Sequence, residues 1–211
     1  AGNTGAMERT HVGGYMEMHY LTTQDGDAEN FDFHRFVMYT GHRFNDWIQF
    51  HSELEVEHGF VNDRNGEIYL EQAYIDFTPT ENFGVKSGVM LVPFGLVNQF
   101  HEPPTFHGVE RPEVDNRIIP TTWFAAGGGI HGSLATGLTY QIYGINSLQF
   151  INRGRDGTSA SVQLGTNGIR DLRQKSFGYT ETNGDVRDIA IAGRLDYAVE
   201  RYPLNVGFSY Y

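Results

Sequence analysis

The segment WIQFHSELEVEHGF, residues 47–60, alternates with a period of two. Gln49, His51, Glu53, Glu55 and Glu57 share one parity, and Ile48, Phe50, Leu54, Val56 and Phe60 the other, with Ser52 and His58 as exceptions. Successive side chains of a strand point to opposite faces, so this spelling makes one wet face and one apolar face. Wound as a helix, the same residues would mix around the cylinder.

Similar segments flank it on both sides. In 13–21, Tyr15, Glu17 and His19 oppose Met16, Met18 and Tyr20; in 31–40, Arg35 shares a parity with Phe33, Val37 and Tyr39, which leaves its facing open. In 67–77, Glu67 and Glu71 alternate with Ile68, Leu70 and Tyr74, and 83–92 sets Lys86 among small residues against Val85, Val89 and Leu91. Thr139, Gln141 and Tyr143 oppose Leu138, Tyr140 and Ile142; Asp188, Arg194 and Asp196 oppose Ile189, Ile191, Leu195, Tyr197 and Val199. With a Gly-rich stretch at 123–134 and a final run at 204–211, the pattern predicts about nine antiparallel strands in an all-β chain.

Composition agrees with exported β structure. The 211 residues include 26 Gly, 12 Tyr, 15 Phe and 2 Trp, against an ordinary glycine share of about 7%. The absence of cysteine excludes a disulfide framework, a thiolate metal site and a cysteine nucleophile. A net charge of −11 argues against nucleic acid as a partner, since phosphates need a basic surface. No apolar run is long enough for a helical membrane span, and no leader-like segment opens the chain, so Ala1 reads as a mature N-terminus or a cut.

The connections alternate in length. Short turns fall at 41–46, 78–82, 134–137 and 200–203; longer ones fall at 22–30, 97–120 and about 146–185, with 62–66 a modest exception on the same side. Outer-membrane barrels carry short turns at the periplasmic end and long loops outside. A soluble antiparallel sandwich or a lipocalin-like barrel also alternates, and the mean hydropathy of −0.41 does not separate them, because only the lipid-facing half of a membrane barrel is apolar. Tyr20, Tyr39, Trp47, Phe77, Phe83, Trp123, Phe124 and Tyr197 fall near strand ends, as interfacial aromatic girdles would, and favour the transmembrane β-barrel.

Five fragments in order carry a family resemblance: DFHRFVMYTGHRF (32–44), SELEVEHG (52–59), GEIYLEQAYIDF (66–77), SGVMLVPFGLVNQFHEPPTF (87–106) and VERPEVDNRIIPTTWF (109–124), continued by GRLDYAV (193–199). This half of the chain resembles the Gram-negative outer-membrane porins grouped with the phosphate-selective porins O and P. The resemblance implies a barrel of about 16 strands with an aqueous lumen, embedded in outer-membrane lipid and lipopolysaccharide as a homotrimer. At roughly 23 residues per strand a complete barrel needs about 370 residues, so residues 1–211 are expected to be the N-terminal portion of one transmembrane barrel domain.

The expected pore-lining residues are Glu17, His19, Arg35, His51, Glu53, Glu55, Glu57, Glu71, Lys86, Arg194 and Asp196. Their acidic excess suggests a cation-leaning lumen, because acidic rings select cations; the alternatives are an anion or phosphate channel and a non-conducting structural or binding barrel. The long loop at 97–120 is the candidate constriction, by analogy with a loop that folds into the lumen in the family resembled. It carries His101, Glu102, His107, Glu110, Arg111, Glu113, Asp115 and Arg117, and prolines at 103, 104, 112 and 120 stiffen it. The polar stretch 146–185 reads as an exposed extracellular loop.

No cofactor or metal is expected. The nine histidines show no HExxH spacing. His51, Glu53, Glu55 and Glu57 share a face, but alternate strand side chains stand roughly 6.5–7 Å apart, too far for one ion without a second strand. GTNG (165–168) and GGG (127–129) lack a P-loop lysine, and GTSAS (157–161) lacks a strand-turn-helix elbow, so no enzyme is indicated. The function expected is passive diffusion of small hydrophilic solutes.

Overall fold

In the computed structural model the described residues are 9–23, 29–59, 66–108, 110–120, 122–134, 137–148, 151–153, 159–161, 189–199 and 201–211. Among them, nine long antiparallel strands dominate: β1 (Thr10–Thr22), β2 (Glu29–Arg43), β3 (Ile48–Glu57), β4 (Glu67–Thr80), β5 (Phe83–Leu91), β6 (Phe124–Leu134), β7 (Leu138–Asn146), β10 (Ile189–Val199) and β11 (Leu204–Tyr210). A small ribbon, β8 (Ile151–Arg153) with β9 (Ser159–Ser161), interrupts the stretch that the sequence marks as loop. Asp188, GTNG and part of GTSAS lie outside the described residues. No described helix is long and apolar enough to cross a membrane.

The chain divides into two compact units, Ala1–Pro79 and Thr80–Tyr211. In the first, β1 pairs with β2, β2 with β3 and β3 with β4. Residues paired across a ladder lie on the same face. Glu17 stands opposite Arg35, and Arg35 opposite Glu57, which settles the facing of Arg35 on the polar side. A register shift between Glu17 and His19 then sets His19 opposite Asp32. A second shift after Glu53 leaves Glu71 as the extra residue and flips the parity of β4 beyond it, as bulges do. Tyr74, expected on the apolar side with Ile68 and Leu70, therefore pairs with His51 on the polar face.

This unit is inverted relative to a water-soluble sheet. Arg35, Glu53, Glu55 and Glu71 are buried, while Met16, Met18, Phe36, Ile68 and Leu70 on the opposite face are exposed. Exposed apolar side chains on one face, with charge buried on the other, mark the exposed face as one that meets something other than water.

The second unit runs β5, β6, β7, β10, β11 in chain order, all neighbours antiparallel. Gly84, His131, Gln141, Arg194 and Ser209 form one row across the polar face. Val85, Ile130, Ile142, Ile191 and Phe208 are exposed on the other.

Two of the aromatic girdle assignments are corrected. Trp123 is fully buried, its ring edge-on to Phe94 at 5.8 Å and to Tyr211 at 5.0 Å. Tyr39 lies on the polar face opposite Glu53. Tyr20, Trp47, Phe83 and Tyr197 are exposed, as girdle residues would be.

Candidate functional site

The polar face of the first unit is built around Arg35. Its Nε lies 2.8 Å from Glu17 Oε2, and its Nη1 donates to Glu55 Oε1 at 3.0 Å. A guanidinium is planar and forked, so it can hold two carboxylates from two neighbouring strands at once. Gln72 Nε2 donates to Glu53 Oε2 at 2.6 Å, and His51 stacks on Tyr74 with centroids 5.1 Å apart. His19 Nε2 lies 2.7 Å from Glu17 Oε1. Thus Glu17, His19, Arg35, His51, Glu53 and Glu55 share one face, with Glu57 next to Arg35 across the ladder and Glu71 beside Glu55.

In the second unit Arg194 is the organising cation. It makes a two-pronged contact with Asp196, Nε to Oδ2 at 2.6 Å and Nη2 to Oδ1 at 2.7 Å. Its Nη1 also donates to the Gly95 carbonyl, at the start of the long loop. Lys86 sits on the same face of β5, opposite Gly129.

That loop is laid against the polar side of the sheet. Gln99 and Gln141 exchange amide hydrogen bonds at 2.8 and 3.1 Å, which ties the loop to the middle of β7. Its neck is closed by Asn98, whose side chain is fully buried. Asn98 Nδ2 donates to Val92 O and to Trp123 O, both at 2.8 Å, and Trp123 N donates to Asn98 Oδ1 at 2.7 Å. One side-chain amide thereby satisfies backbone groups on both ends of the loop. Gly95 takes a φ of +74°, which allows the sharp turn after Pro93 and Phe94. Asn98→Ala leaves the buried Trp123 N–H without its acceptor and takes one of two donors from Val92 O and from Trp123 O, and is expected to cost about 2 kcal/mol. The measurement is the urea midpoint of the refolded full-length protein, with protease sensitivity of the loop rising in parallel; an unchanged midpoint would remove Asn98 from this role.

The eight charged and titratable loop residues do not form one cluster. His101 and Asp115 are buried, and Arg111 is half-buried with Nη2 donating to Thr122 Oγ1 at 3.2 Å. Glu102 lies 3.9 Å from His101. Burial pushes the Asp115 carboxyl above the usual carboxylate range, with Arg111 pulling the other way. His107 and Glu110 are exposed. Glu113 and Arg117 pair with each other one turn apart on the short exposed helix α1 (Glu113–Arg117). The loop thus divides its ionisable residues between packed positions, such as His101, Arg111 and Asp115, and exposed ones, His107, Glu110, Glu113 and Arg117.

The sequence profile described as phosphate-selective porin O and P matches residues 12–198. The chain belongs to this porin family. An uncharacterized protein of Aquifex aeolicus (strain VF5) is 36% identical over 201 residues, covering 94% of this chain and 43% of the relative. The porin chain therefore spans less than half the length of that relative.

Membership bears on the charge reading. The family is described as phosphate-selective, so membership does not support the lean toward cations expected from the acidic count. In the structure Glu17 and Glu55 are held by Arg35, and Asp196 by Arg194, so formal acidic charge overstates the negative charge left unpaired on the polar face. The sequence reading also passed over Asn98, Gln99 and Gln72, and the grouping of Asp32, His34 and His58. The partners of these residues lie far away in the chain or across a bulge, beyond the reach of local spacing.

Proposed function

We propose that this chain lines part of a water-filled outer-membrane channel, completed by the rest of a longer protein, for passive diffusion of small hydrophilic anions, phosphate among them. The observation that carries it is the inverted sheet: charged side chains packed on one face, exposed apolar side chains on the other. A lipid bilayer accepts the apolar face, and ladder pairing satisfies the strand backbone within it. The polar face then lines the lumen, and the loop at 97–120 narrows it by lying against β7. The partners are outer-membrane lipid and lipopolysaccharide, two further copies of the chain in a homotrimer, and the diffusing solutes. The porin needs no chemical step, because size and field at the narrowest point decide what passes.

The test is the reversal potential and single-channel conductance of the full-length protein in a planar bilayer under a potassium chloride gradient. An anion-selective reversal potential is expected, with chloride current lowered by inorganic phosphate. Deleting residues 103–115 is expected to raise conductance. Cation selectivity would overturn the anion reading, no rise would place the loop outside the conduction path, and silence from folded protein would leave a structural or binding barrel.

A further inference from the structure

At the long-loop end of β1, β2 and β3, three histidines and two carboxylates converge. Asp32 lies at the centre, its Oδ2 2.9 Å from His34 Nδ1 and its Oδ1 3.0 Å from His58 Nδ1. Asp32, His34 and His58 each offer a ligand atom within 4.8 Å of the others, and so do Glu17, His19 and His34. The His34 ring is stacked on His19 at 4.3 Å and meets the edge of His58 at 5.0 Å. The register shift in the β1 and β2 ladder is what brings Asp32 and His34 to this point together.

His58 adds a second observation. Its backbone φ is +49°, in the left-handed region that residues other than glycine seldom adopt, and its N–H donates to His34 O at 3.0 Å. Strain of this kind persists where the surroundings hold it, and it gathers at ligand-binding positions. Here it turns the imidazole back toward Asp32, where a relaxed strand end would carry it outward.

We propose that Asp32, His34 and His58 form a binding site for a borderline divalent metal ion, Zn2+ or its neighbours Ni2+ and Cu2+, with His19 and Glu17 packed behind His34. Two imidazoles and one carboxylate form a donor set that Zn2+ accepts, with an open position left for water or an oxyanion. Ca2+ and Mg2+ demand oxygen ligands and are disfavoured. Each imidazole ligates through the Nδ1 lone pair and carries its ring proton on Nε2. His34 Nδ1 and His58 Nδ1 stand 2.9 and 3.0 Å from different oxygens of Asp32, and the three ligand atoms lie within 4.8 Å of one another, against a zinc tetrahedron's edge of roughly 3.4 Å, so the donors readjust around the ion. Arg35, on the same face, is already held by Glu17 and Glu55. The site does not depend on whether the chain conducts.

The test is Zn2+ uptake by the full-length protein in detergent, titrated against a chromogenic chelator, with folding checked by heat-modifiable migration on a gel. The unmodified protein is expected to bind one equivalent per chain at this site. His34→Asn and His58→Asn are each expected to weaken it by about tenfold to a hundredfold or more. His58→Asn is the decisive variant should His34→Asn fail to fold, because asparagine tolerates the left-handed backbone. His42→Asn, at the short-turn end of β2, is expected to change nothing. Cu2+ bound in place of Zn2+ is expected to show nitrogen couplings from two imidazoles in its electron spin resonance spectrum. No uptake by the unmodified protein, or equal uptake by His58→Asn, would overturn the proposal.

Discussion

Replacing Arg35 with Met is expected to lower the stability of the folded protein by about 3 kcal/mol or more. Arg35 is 8% exposed, and its two carboxylate partners come from the strands on either side. Methionine fills a similar volume but leaves Glu17 and Glu55 facing each other with no cation between them. Removing one member of a buried charged cluster costs more than the cluster contributes, because the remaining charges keep their desolvation penalty. Adding Glu55→Gln to Arg35→Met is therefore expected to recover most of the loss, since a neutral amide can donate to Glu17. Arg35→Lys is expected to fall between, because a single ammonium cannot reproduce the fork that binds through Nε and Nη1. The measurement is the urea midpoint of the full-length protein refolded into lipid vesicles. If the double variant is no more stable than Arg35→Met, packing and not charge explains the loss.

Arg35 also shows where the sequence could and could not be read. Alternation located seven of the nine long strands within a few residues, because a sheet with one polar and one apolar face imposes a period of two on its strands, while 123–134 stood out by its glycines and 204–211 only as a final run. The facing of Arg35 is open in the sequence because Val37 and Tyr39, apolar by type, share the polar face with it opposite Glu55 and Glu53, and because the register shift near His19 puts Asp32, of the other parity, on that side too. Tyr74 was misassigned for the same reason, since the shift at Glu53 reverses parity within β4. A bulge leaves no mark in composition, and only the partner strand reveals it.

The loop was legible as a loop and not as a packed object. Its length and its prolines stand in the sequence. The amide contacts that lay it down join Gln99 to Gln141 and Asn98 to Trp123, across separations of 42 and 25 residues. Neutral amides draw less notice than charges in a search for function, yet here they set the position of the charged groups. The loop's ionisable residues are split between packed and exposed positions, and their order in the sequence does not show which is which.

Gly129→Val is expected to prevent folding, a loss of about 3 kcal/mol or more. A Cβ built on Gly129 falls 2.0 Å from Ile142 O and 2.7 Å from the Cα and Cδ1 of Tyr143. Strand β6 approaches β7 so closely here that no side chain fits, and the Tyr143 ring, 1% exposed, packs where that side chain would stand. Glycine in a strand interior is ordinarily a weakness, and close approach is one of the few reasons to keep it. Gly144→Val is the control: a Cβ there has no neighbour nearer than 3.9 Å and projects from the apolar face, so heat-modifiable migration should survive. A second substitution separates ring from backbone. Tyr143→Ala removes the ring but leaves Ile142 O in place, so Gly129→Val combined with Tyr143→Ala is expected to fail as the single variant does. Recovery in the double variant would show that the tyrosine ring alone demands the glycine, and that β6 and β7 can separate far enough to admit a side chain.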